Sequence, residues 1–151
     1  MAKDLTSKEI AELVTEHFGS VLREFGFTDS GSKKVVFWRK TDYDIYHYVT
    51  AWRSRRLPKY DIMVFAFHPS FDEDFESNHP DKIGCPIRGY LHSKYGVGAR
   101  SEQLFCKTKD GFVKDFEKRG RMMLIDHAIT FLDQIQNLQD LKPLLIAPGL
   151  R

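Results

Sequence analysis

Residues fit for burial recur near the start of the chain at Ile10, Leu13, Val14, His17, Phe18, Val21, Leu22 and Phe25, the spacing of one helical stripe. Thr6 stands where a cap belongs, and Glu9 three residues on can close a capping box, so the pattern predicts a helix over 6–25 that stops at Gly26. Gly19 inside it costs about 1 kcal/mol of helix propensity, yet the stripe continues past it.

From Val35 the period drops to two. Residues 35–39, 44–52 and 60–68 are rich in β-branched and aromatic side chains, and short polar segments separate them. They predict three antiparallel strands in a meander. With the first turn centred on Thr41-Asp42, Trp38 lies opposite Ile45 and Phe37 opposite Tyr46. With the second around Arg55-Arg56-Leu57, His47 lies opposite Ala66. That register gives one face Val36, Trp38, Ile45, His47, Val49, Ala51, Ile62, Val64, Ala66 and His68. The other receives Val35, Phe37, Tyr46, Tyr48, Thr50, Trp52, Met63, Phe65 and Phe67. Neither face is polar, whereas a meander with water on one side should alternate. The second face therefore needs a cover: a helix, a curled sheet edge or a partner.

Further along, 87–92 and 104–107 are candidate fourth and fifth strands, and Gly111 to Lys118 a helical turn or two. A second amphipathic helix is predicted over 120–136, with Met122, Ile125, Ile129, Leu132 and Ile135 on or near one stripe. A short helix over 139–145, started by Asp140 and disturbed at Pro143, would follow. The expectation is an α+β fold: an antiparallel β-meander of three to five strands packed against an N-terminal helix and a C-terminal amphipathic helix, all in one domain over 1–151.

Composition narrows the function. At 151 residues, 42% hydrophobic and 29% charged, with a formal charge of +2, the chain has no overall field to draw it to nucleic acid or an anionic membrane. No apolar run is long enough to span a membrane, and the opening MAKDLTSKEI lacks a secretory signal, so a cytoplasmic protein is expected. Cys85 and Cys106 are too few for a disulfide framework.

Catalytic signatures are absent. His47 and His68, on one predicted face, could build a metal site with His79, Cys85 or an acid of the 67–86 stretch, but C-x-x-C, H-E-x-x-H and close H-x-H spacings are all missing. No G-x-S-x-G elbow, Walker loop or dinucleotide fingerprint occurs, so neither a metal nor another cofactor is expected. Three surfaces remain. Asp72, Glu73 and Glu76 could form an acidic ridge for a basic protein. Arg53 to Lys59 holds four cations in seven residues, too few phosphate contacts for nucleic acid. Tyr46, Tyr48, Trp52, Phe65 and Phe67 could line an apolar groove, with Arg39, Arg88 and His92 as polar groups for a ligand, or could be the interface of a homodimer.

Glu24-Phe25-Gly26-Phe27 closing a capped helix, then Phe37-Trp38-Arg39, a meander, and Cys85, Arg88, Gly89 and Leu91 before a final amphipathic helix form a combined pattern. It resembles the bacterial family catalogued as domain of unknown function 4304, over roughly Leu5 to Leu138. The second strand lacks the glutamine and serine common in that family. The resemblance implies an α+β fold and no established chemistry. Some related small domains look like immunity proteins, which act by surface complementarity. The sequence is thus read first as a non-catalytic binding domain whose partner is another protein or a second copy of itself, with a small-molecule-binding protein or an enzyme with its pocket on the aromatic face as the alternative.

Overall fold

The computed structural model describes residues 4–29, 35–54, 56–71, 87–90 and 103–145. Helix α1, Ser7–Leu22, starts at the predicted capping box. Thr6 Oγ1 accepts the Glu9 N–H at 3.1 Å, and Glu9 Oε1 accepts the Thr6 N–H at 3.0 Å. The stripe from Ile10 to Leu22 is buried, with His17 at its edge. Phe25 departs from it: Arg23–Phe25 tighten into a 3-10 turn that carries Phe25 outward before Gly26 reverses the chain at a φ of 86°.

Among the described residues six strands follow: β1, Thr28–Asp29; β2, Val36–Lys40; β3, Tyr46–Arg53; β4, Lys59–Phe67; β5, Ile87–Tyr90; and β6, Leu104–Phe105. The order across the sheet is β1-β2-β3-β4-β5, all antiparallel, and β6 also pairs with β4, beyond the end of β5. The meander is as expected, and β3 pairs with β4 as expected, with His47 opposite Ala66. The two-residue β1 has no periodic signature and was not predicted.

The β2–β3 register differs from the sequence reading. Trp38 faces Tyr48 and Phe37 faces Val49, three residues away from the expected pairing. The connection is a longer turn organised by Thr41. Its N–H donates to the Ile45 carbonyl at 2.8 Å, and its Oγ1 accepts the N–H groups of Tyr43 and Ile45 at 3.3 and 3.1 Å. Asp44 takes up the reversal at a φ of 63°. An odd slip exchanges the two sides of a strand. Phe37 therefore lies on the His47 and Val49 side, and Val36 and Trp38 join the tyrosines.

The second long helix, α2, is continuous over residues 109–133 and capped by Thr108, whose Oγ1 accepts the Gly111 N–H at 3.0 Å. The sequence reading broke it at Gly120. Instead, two wide stretches, Phe116–Gly120 and Met123–Ile129, with i→i+5 bonding, carry the helix through. These wide turns shift the phase of the buried face. Met123, Leu124, Ala128, Ile129 and Leu132 are buried, while Met122, expected in the stripe, is exposed. The last helix, α3, Leu138–Leu145, is capped by Asn137 rather than started by Asp140. Asn137 Oδ1 accepts the Asp140 N–H at 2.9 Å, and Asp140 Oδ2 reaches back to the Gln136 N–H at 3.0 Å.

One core joins α1 and α2 to the sheet face that carries Phe37, Val49, Tyr60, Ile62, Val64 and Ala66. The opposite face forms a second cluster of Val36, Tyr48, Met63, Phe65 and Phe67 with Trp38 and Tyr46 at its margin, made among the described residues from strands alone.

Candidate functional site

Pairing sets the aromatic face. Tyr46 lies opposite Phe67 and Tyr48 opposite Phe65, while Trp38, across from Tyr48, has its ring centre 5.9 Å from that of Tyr46. Within the single chain Tyr48 is 2% exposed, Phe65 7% and Phe67 2%. Rings this deeply covered do not line an open groove, and they need no second subunit to leave water. Trp52 alone of the five candidates is open, at 52%.

Arg39 and His47 face the helices. The Arg39 Nε donates to His47 Nδ1 at 3.0 Å, its two terminal nitrogens donate to the Phe25 carbonyl at 2.8 Å and to Asp133 Oδ1 at 2.5 Å, and its guanidinium lies 4.5 Å from the centre of the Phe27 ring. Because His47 Nδ1 accepts, Nε2 carries the proton and donates to the Ile135 carbonyl at 2.7 Å. Burial, above all, lowers the His47 pKa to about 4; Arg39 adds to the effect, while the Ile135 carbonyl and Asp133 oppose it. Both ring nitrogens are occupied and the imidazole is neutral. This network ties β2 and β3 to the end of α2.

His68 is engaged elsewhere, with Nδ1 2.8 Å from the Ser70 hydroxyl. Among the described residues no group of three His, Cys, Asp or Glu side chains is placed to hold a metal. The backbone of Arg88 lies in β5 opposite Phe65. Asp72, Glu73, Glu76 and His92 lie outside the described residues.

What the structure gathers is the end of the sheet at the β3–β4 loop. Trp52 pairs with Asp61, and Lys59 pairs with Phe105. Lys59 and Asp61 alternate on one side of β4, so all four occupy the same face. Leu57 stands in the adjoining loop. Trp52, Leu57 and Phe105 are 52%, 51% and 48% exposed, among the largest open apolar side chains of the described residues. Arg53 and Arg56 are exposed and Lys59 half-buried, and none of the three is in an ion pair among the described residues. Arg53 instead donates to the Ser7 hydroxyl at 2.7 Å.

Phe105 is held by a local brace. Asp115 accepts two bonds from Arg119, at 2.7 and 2.6 Å, and the Phe105 N–H at 2.8 Å; Arg119 also donates to the Gln103 carbonyl at 3.0 Å. Burial opposes the Asp115 charge, but these donors outweigh it and hold the carboxyl below its ordinary pKa.

Asp61 is in a different position. It is 8% exposed, its Oδ1 has no hydrogen-bond partner, and its Oδ2 meets only the Gln103 amide at 3.5 Å. Burial pushes its pKa up, and the Gln103 amide only partly opposes this. An unmade hydrogen bond of this kind costs about 1–3 kcal/mol, and more for a charge.

Sequence reading found Trp52 and the cationic loop, and missed Leu57, Asp61 and Phe105. Leu57 sat in a loop, and Phe105 depends on a two-residue strand. Asp61 breaks the apolar run of β4, which was the one signal available. In comparison with known proteins, the chain matches no family model, no curated protein and no solved structure, and the site rests on its own geometry.

Proposed function

We propose that the chain is a non-catalytic protein-binding domain that receives an acidic segment of its partner at the β3–β4 loop end of the sheet. The observation that carries this reading is the half-exposed group Trp52, Leu57 and Phe105 at a loop end that also holds Arg53, Arg56 and Lys59, cations in no ion pair among the described residues. Tryptophan and arginine are the side chains that most often anchor protein interfaces, and unpaired charge at the rim selects and steers the partner.

A random peptide-display selection tests it. The wild-type domain should enrich acidic peptides, and the Arg53→Glu, Arg56→Glu, Lys59→Glu variant should lose that enrichment while keeping its thermal transition. Enrichment of neutral or basic peptides, or an unchanged profile for the reversed variant, would overturn the reading.

A further inference from the structure

The Asp61 carboxylate is the one described acid that is buried with an oxygen left unpartnered. The row across the sheet is Trp52 on β3, Asp61 on β4 and, because Tyr60 pairs with Leu104, Gln103 on the far side. Packing alone does not call for a charge here; the isosteric asparagine would fill the same space without burying an anion. A residue that costs the fold its own stability points to a use beyond folding.

The neighbouring ring indicates the use. Aromatic rings here already take cations: Phe105 has the Lys59 ammonium 5.2 Å and the Arg119 guanidinium 5.7 Å from its centre. Among the described residues Trp52, whose indole is the best of the aromatic rings for this contact, takes none. An anionic acceptor lies across a strand pair from a half-open indole, and together they offer what a positively charged donor needs: a charge-assisted hydrogen bond and a ring face.

We propose that Asp61 and Trp52 form a seat for a single ammonium or guanidinium group. The seat takes its place on the surface from the reading above and names a different chemistry within it. Lys59, two residues along on the same face, is committed to Phe105, and Arg53 turns to Ser7 on the other side of the sheet. Their fields, screened over about 8 Å at physiological salt, still repel a broadly basic ligand. The ligand that fits carries one cation in an otherwise neutral or acidic frame: a partner segment whose acids meet Arg56 and Lys59 and whose lone Arg or Lys enters the seat, or a free small guanidine. The Asp61 Oδ1 is closed over in this structure, and Oδ2 holds the 3.5 Å contact from the Gln103 amide, which the entering cation would replace.

The test uses three probes: Nα-acetylated argininamide (below, argininamide), which carries the guanidinium as its one cation, a blocked Asp-Arg-Glu peptide and its Asp-Gln-Glu twin. Binding is followed at the Trp52 indole N–H resonance, assigned against Trp52→Leu. Argininamide should shift that resonance saturably, and the Arg peptide should bind at least about tenfold more tightly than its Gln twin. Asp61→Asn should lose this preference and yet melt higher than wild type, a combination that a purely structural Asp61 would not give. A folded Trp52→Leu, an exposed position, should bind argininamide at least about tenfold more weakly. If the Arg peptide is no tighter than argininamide, a free small guanidine is the source. If the Gln twin binds equally well and responds only to reversal of Arg53, Arg56 and Lys59, the contact surface stands and the seat falls. If argininamide binds and the acids add nothing, the seat stands and the acidic-partner reading falls. No response to argininamide or the Arg peptide, or full binding by Asp61→Asn, overturns the seat.

Discussion

Tyr60 packs its ring 6.1 Å from Phe18 and 5.4 Å from Phe112, yet its fully buried hydroxyl has no partner. Burial first, then Asp115 and Cys106, push its pKa up from the ordinary phenol value, which favours the neutral phenol. The ring carries the stability and the oxygen detracts from it. Tyr60→Phe should therefore leave thermal stability unchanged or raise it by about 1 kcal/mol; a loss of that size would mean that a buried water satisfies the hydroxyl. His47 is the contrasting case, a polar core residue with both nitrogens satisfied. Such differences were hidden in the sequence. Alternation placed Tyr60, Asp61 and His47 in strands, but whether a polar atom finds a partner depends on residues far along the chain, Ile135 for one and Gln103 for another.

At the scale of elements, two helical glycines should behave oppositely. A Cβ on Gly19 would meet the Arg23 guanidinium at 2.6 Å, the mobile end of an exposed side chain. A Cβ on Gly120 would come equally close to the ring of Phe116, which is completely buried. Gly19→Ala should stabilise by up to about 1 kcal/mol through helix propensity. Gly120→Ala should lose about 1–3 kcal/mol through overpacking. Urea midpoints for the pair check both signs, and a gain for Gly120→Ala would refute the tight fit. The same glycine explains why α2 was misread. Its position suggested a helix start, and no simple period describes a helix that alternates ordinary and wide turns. The β2–β3 slip has a similar cause, because a turn built by one threonine hydroxyl looks in sequence like a shorter one.

For the molecule as a whole, Arg39 and His47 fasten the sheet to the end of α2, and this attachment depends on pH. Folded His47 has a pKa of about 4 against an ordinary 6.5. Between those values the unfolded chain takes up a proton that the folded chain refuses. Its contribution is intact above pH 6.5 and is lost as the pH falls towards 4, by about 3 kcal/mol at most. Asp115, with its depressed pKa, acts below the ordinary carboxylate range, whereas Asp61, with its raised pKa, acts above it and with the opposite sign, so the His47 contribution is read as the difference between wild type and the His47 variant. His47→Gln should flatten the stability profile between pH 6.5 and 4 at some cost near neutrality, as read by denaturation midpoints across pH; an unchanged slope would remove His47 from the account. The α+β architecture and both apolar faces of the meander were legible because strand alternation is a local property. The contact surface was only half legible, since it forms where β6 returns to β4 from more than forty residues downstream.

The helix that closes the principal core is also late in the chain. A ribosome releases α1 and the first four strands well before residues 109–133, so Phe18, Phe37, Val49 and Ile62 emerge with their eventual cover still unmade. Sealing must wait until Asp133 and Ile135 arrive to engage Arg39 and His47. Until then the nascent chain displays the sticky surface that chaperones hold, and its decisive folding step waits for α2 to follow the strands it covers.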